Sequence, residues 1–139
     1  MVYLFVHVIW CVARREALLT RPVRRVLFVQ MQKEAGEKGI KIVAIGGADN
    51  HVHCLFQLMP VQNLTQVVRA VRSLSADWLN GNKLLVATLE WEEGYAAYSV
   101  SPSGVQQVVE YIGKQEEIHP SKTLEGELQI FDKFKELLA

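Results

Sequence analysis

The order of its apolar segments predicts an α+β fold for this chain, a ferredoxin-like sandwich in which helices cover one face of an antiparallel sheet and further C-terminal helices follow. Two observations carry that prediction. Strand-like and helix-like stretches succeed one another as β-α-β-β-α-β, and the two central strands are joined by a short glycine-containing run that suits a hairpin. The size of the chain sets the domain count. Its 139 residues, half of them apolar, suffice for one core, and no repeat, low-complexity stretch or Ser/Gly/Pro-rich linker divides them. Residues 1–139 are therefore read as a single domain.

The first strand is expected from Tyr3 to Val12, with apolar residues on both parities, so that both its faces are buried. The run from Val2 to Ala13 is too short to span a bilayer and contains His7 and Trp10. Thr20 can cap a helix that opens at Pro22, carries Val23, Val26, Leu27, Met31 and Ala35 on one side, and stops at Gly39. Ile40 to Ile45 then reads as a second strand, Gly46 to Asn50 as a turn, and His51 to Leu58 as a third strand.

Pro60 closes that strand, and Asn63 starts a helix in which Leu64, Val67, Val68, Val71, Leu74 and Trp78 recur at helical spacing up to Asn80 and Gly81. Short strands are expected over Leu85 to Trp91 and Tyr95 to Val100, around Glu92-Glu93-Gly94. Ser101 and Pro102 can open a helix running to about Ile118, with Val105, Val108, Val109 and Ile112 inward. A last helix from Thr123 carries Leu128, Phe131, Phe134 and Leu138.

Two cysteines, Cys11 and Cys54, are too few for a disulfide framework, and the amino terminus lacks the ordered regions of a secretory signal. An intracellular, cytoplasmic protein with no membrane partner is expected. Net charge is zero, which by itself disfavours a nucleic-acid partner. The distribution is uneven, however. Residues 1–89 hold eleven Lys/Arg against five Asp/Glu, whereas residues 90–139 hold four against ten. Arg14, Arg15, Arg21, Arg24 and Arg25 gather around a helix start, and Arg69 and Arg72 lie one turn apart on another. On charge alone the same pattern also fits two ordinary solvated faces.

A strand places residues i and i+2 on one face, so His51 and His53 are held together as half of a metal site. Their face also carries Leu55 and Gln57, while Val52, Cys54, Phe56 and Leu58 form an apolar face that must meet the helices. The histidines are thus expected on the outer face of the sheet. A His-x-His pair alone equally describes two surface histidines. Cys54 follows His53 directly and points to the opposite side, which disfavours a zinc site made with both histidines.

About sixty residues later, Tyr111 and Gln115 stand one helical turn apart on one face. Tyr111 sits at the border of an apolar stripe, where a tyrosine is often a packing residue with a wet hydroxyl. Taken together, two imidazoles, an amide oxygen and a phenol are the parts needed to cut a phosphodiester through a covalent tyrosine link. The donors leave coordination positions open for phosphate oxygens, as Mg²⁺ or Mn²⁺ commonly does. A phosphotyrosine would store the bond energy for later rejoining.

The chain resembles the single-tyrosine HUH transposases, which include the small insertion-sequence transposases and the REP-associated tyrosine transposases. Four blocks carry the resemblance over nearly the whole chain: His7-Val8-Ile9-Trp10 followed by Arg14-Arg15; Asn50-His51-Val52-His53; Trp91 to Ser101; and Val109 to Glu117 around Tyr111-Ile112-Gly113-Lys114-Gln115. The resemblance implies that His51 and His53 are metal ligands, Gln115 the third ligand and Tyr111 the nucleophile. It implies cleavage of single-stranded DNA with the 5′ phosphate kept on tyrosine, a divalent cation, hairpin recognition at element ends, and a homodimer working at the nucleoid. Where many members carry an aspartate directly before the first histidine, this chain has Asn50, with Asp49 one earlier.

Clustering makes Arg14, Arg15, Arg21, Arg25, Arg69 and Arg72 the candidates for phosphate contacts. A site shared between subunits is expected, because the tyrosine helix must reach the outer sheet face and a neighbouring chain reaches it more readily. The rival readings are a domesticated hairpin-binding protein without cleavage, and a metal-binding ferredoxin-like partner module without nucleic acid.

Overall fold

The computed structural model describes residues 1–115, so the expected end of the tyrosine helix at Ile118 and the last helix from Thr123 lie outside the described residues. In chain order the elements are β1 (Leu4–Cys11), α1 (Arg21–Glu37), β2 (Lys41–Ala48), β3 (His51–Leu58), α2 (Leu64–Gly81), β4 (Ala96–Val100) and α3 (Val105–Gly113). The four strands form one sheet in the order β2-β3-β1-β4, with each neighbouring pair antiparallel. The α+β sandwich read from the sequence is the fold observed.

The two faces of the sheet differ in chemistry. Val8 and Trp10 from β1 and Val12 just after it, with Val52, Cys54 and Phe56 from β3, meet Leu27, Met31 and Ala35 of α1 and Val67, Val68, Val71 and Leu79 of α2 in the main core. Alternation then sends His7, Ile9 and Cys11 of β1 and His51, His53 and Leu55 of β3 to the other face. Helix α3 covers that second face, packing on β2 and β3.

Local chemistry explains most element ends. Asn63 caps α2 by accepting a hydrogen bond from the Gln66 amide at 3.2 Å. Thr20 occupies the cap position of α1 without a side-chain bond, and Pro in the first turn pre-sets the backbone there. Gly39, at φ +74, takes the left-handed turn that releases the chain into β2.

Three expectations are corrected. The buried stripe of α1 is Arg24, Leu27, Met31 and Ala35, and Val26 is exposed, because a 3.6-residue period centred on Leu27 and Met31 rotates position 26 outward. The turn between β2 and β3 is only Asp49-Asn50, and Gly46 and Gly47 are strand residues paired with His53 and Val52. The stretch Leu85 to Trp91 is no strand. Its ladder is replaced by a side-chain clip: Asn80 donates to the Leu89 carbonyl at 3.0 Å and accepts from the Leu89 amide at 2.7 Å. Val86 is left fully exposed, and just one backbone bridge, Val12 to Trp91, joins this stretch to the sheet end among the described residues.

The following loop is held from α2. The Arg72 guanidinium donates to the carbonyls of Glu92 and Gly94, and the Trp91 indole N–H donates to the Arg72 carbonyl at 2.9 Å. Partial burial lowers the pKa of Arg72 from its ordinary value, and the two carbonyls each engage one of its terminal nitrogens.

Gly46 settles where α3 can lie. A Cβ there would collide with the Ile112 carbonyl oxygen and press on its side chain, so the helix backbone rests directly on the strand. Gly46→Ala is expected to lose about 1–3 kcal/mol, since rigid backbone must move. Gly36→Ala, in open space within α1, should instead gain roughly 0.5–1 kcal/mol. Urea denaturation of the two variants checks this, and equal midpoints would remove the close approach. For the loop, Arg72→Ala should cost about 1–3 kcal/mol by leaving two carbonyls unpaired. Arg69→Ala, exposed on the same helix, should stay within about 0.5 kcal/mol of the parent.

Candidate functional site

His51 and His53 lie on the sheet face away from α1 and α2, as their strand parity requires, but that face is not solvent. Both rings are completely buried, together with His7, Ile9, Leu55, Ile112 and Gln115. The description of a surface pair is therefore excluded. What covers them is α3 of the same chain, with Val105, Val108 and Val109 half-buried and Ile112 fully buried against the sheet.

Two turns of helix decide what meets the histidines. Tyr111 lies with its ring centroid 5.7 Å from that of His53 and 6.2 Å from that of His7, edge-on to both. Gln115, just beyond the end of α3, brings its Oε1 to 3.4 Å from His51 Nε2. Its Nε2 points to the Tyr111 carbonyl at 3.4 Å, which fixes which end of the amide faces the histidine. The tyrosine helix reaches this face within the single chain described, bringing Tyr111, Gln115, His51 and His53 together, because Gly46 lets α3 settle on the face where they stand.

Both histidines are held by hydrogen bonds at Nδ1, and for His51 the partner fixes where the hydrogen sits. Asn50 Oδ1 lies 2.8 Å from His51 Nδ1. An amide oxygen only accepts, so Nδ1 carries the hydrogen, and in the neutral ring the Nε2 lone pair faces the lone pairs of Gln115 Oε1. Two acceptors at that separation repel unless a cation lies against both. His53 Nδ1 lies 2.8 Å from His7 Nε2, and His53 Nε2 is shielded from solvent.

This donor set fits a divalent cation. Two imidazole nitrogens and an amide oxygen are neutral ligands with open positions beside them. Among the described residues no three His, Cys, Asp or Glu side chains form a metal-binding group. An amide donor is what completes the set. Cys54 sits in the main core on the opposite face, and burial pushes its thiol well above its usual pKa, so it stays neutral and away from the histidines.

The arginines divide by environment. Arg21 and Arg25 are exposed at the start of α1, and Arg25 lines a cleft of about 260 Å³ that also includes Gly46, Gly47, Gly113 and Gln115. Arg14 is ion-paired with Glu16 at 2.8 Å, and Arg15 lies 3.4 Å from Glu92. Both have positive φ, at 58° and 52°. Arg69 and Arg72 line a groove of about 560 Å³ along α2, with the Arg72 guanidinium already on backbone carbonyls.

Sequence reasoning did not single out three contributors. His7 belongs to an apolar strand and to the block His7-Val8-Ile9-Trp10, but no role for it follows from either, because the register that sets it diagonal to His53 is invisible in one sequence. Asn50 reads as a turn residue and as the residue directly before the first histidine, with no hydrogen-bonding role of its own. Arg24 was counted in a basic cluster, yet it is buried and donates to the Leu19 carbonyl at 2.6 Å and to Asp49 Oδ1 at 2.8 Å, pinning the turn that precedes His51. A lone arginine on the apolar stripe of α1 was the available signal.

Known proteins share this frame. ISDra2 transposase TnpA of Deinococcus radiodurans is 26% identical over 119 residues, covering 78% of this chain and 81% of the relative. A crystal structure of a candidate transposase from Deinococcus radiodurans R1 superposes with a TM-score of 0.67 at 24% identity, covering 83% of this chain and 92% of that one. The structure of a REP-associated tyrosine transposase bound to a REP hairpin gives a TM-score of 0.62 at 14% identity, over 83% of this chain and 67% of that one. These two structures share the fold. The family model for IS200-like transposases matches residues 1–115, which takes in both histidines, the tyrosine and the glutamine. This chain belongs to the IS200-like transposase family.

Proposed function

We propose that this transposase cuts and rejoins single-stranded DNA through a covalent bond between Tyr111 and a 5′ phosphate, at a divalent cation, Mg²⁺ or Mn²⁺, held by His51, His53 and Gln115. The supporting observation is that the phenol and all three donors converge from a single chain beneath α3. When bound, such a cation draws charge from the non-bridging phosphate oxygens and lowers the barrier to attack at phosphorus. The Tyr111 oxygen gives up its proton and bonds to phosphorus, while the bond from phosphorus to O3′ breaks and O3′ leaves as a hydroxyl. The exchange conserves one phosphoester bond, so a later 3′ hydroxyl reverses it without a nucleotide cofactor.

Hairpin DNA is the proposed ligand, a reading supported by the REP hairpin carried by the solved relative. Arg21 and Arg25 are assigned to its phosphates because they are exposed, and the cleft lined by Arg25 reaches Gln115. Arg14, Arg15 and Arg69 extend that assignment along the surface. Arg72 contributes less, since its guanidinium is already held on the carbonyls of Glu92 and Gly94. A homodimer at the nucleoid is the proposed assembly, with each chain using its own tyrosine in the state described.

Labelled single-stranded hairpin from the protein's own locus, incubated with Mn²⁺, should give a shifted band on a denaturing gel. Tyr111→Phe should abolish it, and His53→Ala should nearly do so while leaving hairpin retention largely intact, because binding is spread over many backbone contacts. Wild-type retention with no adduct would identify a non-catalytic hairpin-binding protein instead. In a second experiment, a His51→Ala/His53→Ala protein is mixed with Tyr111→Phe after confirmed subunit exchange. No adduct is expected, because every site then lacks one component. Recovery of the band would show that tyrosines act across subunits.

A further inference from the structure

His7 is a buried side chain to which the cleavage chemistry above gives no role. It stands on β1 two residues from Ile9, the cross-strand neighbour of His53, so the two histidines are diagonal partners on one sheet face. Its ring centroid is 5.1 Å from that of His53, and the nitrogens approach to 2.8 Å. An aliphatic residue would fill the space beside Ile9 with less desolvation. The histidine needs a reason.

A hydrogen bond between two neutral imidazoles has one donor. If His7 donates from Nε2, His53 accepts at Nδ1, carries its own hydrogen on Nε2, and loses the lone pair needed there for a cation. If His53 donates from Nδ1, that lone pair is kept. His7 is itself unsuited as a ligand through Nε2, because that atom is committed to His53. Asn50 imposes the corresponding choice on His51 without ambiguity, since Oδ1 only accepts. With His53 as donor both contacts work the same way: each ring is tied at Nδ1 and keeps the Nε2 lone pair that a cation needs.

We infer that His7 is a positioning residue that accepts the Nδ1 hydrogen of His53, and that with Asn50 it locks both histidines in the tautomer whose Nε2 lone pair serves the cation beside Gln115. The inference rests on the reading of His51, His53 and Gln115 as the cation's ligands. Partners of this kind orient the ring, raise its basicity and exclude the tautomer that cannot bind.

Two measurements test it on the full chain. The first is a long-range ¹H–¹⁵N correlation spectrum of the histidine rings, taken without metal at alkaline pH where the rings are neutral. His51 and His53 are expected as Nδ1–H forms, and an Nε2–H form of His53 overturns the inference. The second is Mn²⁺ affinity, read from the EPR signal of free Mn²⁺, alongside thermal melts of the metal-free proteins. His7→Leu should bind Mn²⁺ about 10–100-fold more weakly. His7→Gln, whose amide oxygen can reach the place of the imidazole Nε2, should recover most of the loss. Unchanged affinity in His7→Leu overturns the inference, as does an equal loss in His7→Gln and His7→Leu, which would mean that ring shape rather than the hydrogen bond matters. Parent protein with Nδ1–H rings but no Mn²⁺ binding would remove the metal reading and leave the tautomer assignment standing.

Discussion

Helix α3 can lie on the sheet because β2 presents bare backbone at Gly46, where the Ile112 carbonyl rests. What α3 brings to the site depends on that approach. With any side chain at position 46 the helix would stand farther off, and neither the Tyr111 ring nor the Gln115 amide would come down to the histidines. The same contact turns the outer sheet face into an interior. Imidazoles that strand geometry alone would leave wet become fully buried, which obliges each of their ring nitrogens to find a partner or to meet a cation.

The sheet thus separates two jobs between its faces. Toward α1 and α2 it offers Val8, Trp10, Val52, Cys54 and Phe56, packed with the aliphatic stripes of both helices, and this side supplies most of the apolar burial. Toward α3 it offers three histidines among Ile9, Leu55 and Ile112. A polar cluster is tolerated there because hydrogen bonds with Asn50 and His7 hold the Nδ1 atoms of His51 and His53 in place, and because the main core does not rely on it. The turn before His51 is held independently: Asp49 and Asn50 carbonyls accept from Leu19 and Val12, and buried Arg24 ties Asp49 to the Leu19 carbonyl.

Much of this was legible in the sequence, for physical reasons that also explain what was not. Helical and strand periodicities are local, so the element order, the Asn63 cap and the shared face of His51 and His53 could be read directly. The spacing of Tyr111 and Gln115 is likewise a property of one helix. Contacts between elements are not local. The register that sets His7 diagonal to His53, and the side of the sheet on which α3 settles, follow from packing that no single segment encodes. Gly46-Gly47 was read as turn chemistry because glycine punctuates loops more often than it admits a neighbouring backbone. The apolar stretch from Leu85 misled for the opposite reason: its composition suits a strand, but Asn80 offers its backbone bonds at Leu89 before any strand edge does.

The neutrality of the donors has a consequence for how fold and chemistry coexist. A buried carboxylate in the place of Gln115 would leave a charge beneath α3 whenever no cation was there, and a buried unpaired charge destabilises a fold strongly. An amide with two imidazoles leaves none. The cost without a cation is confined to lone pairs facing each other across 3.4 Å between His51 and Gln115. On the proposed reading, the positive charge of the cation is then balanced chiefly by the phosphate it acts on and not by the protein. Cation and DNA would therefore favour each other's binding, while the sheet and its two core helices fold without waiting for either.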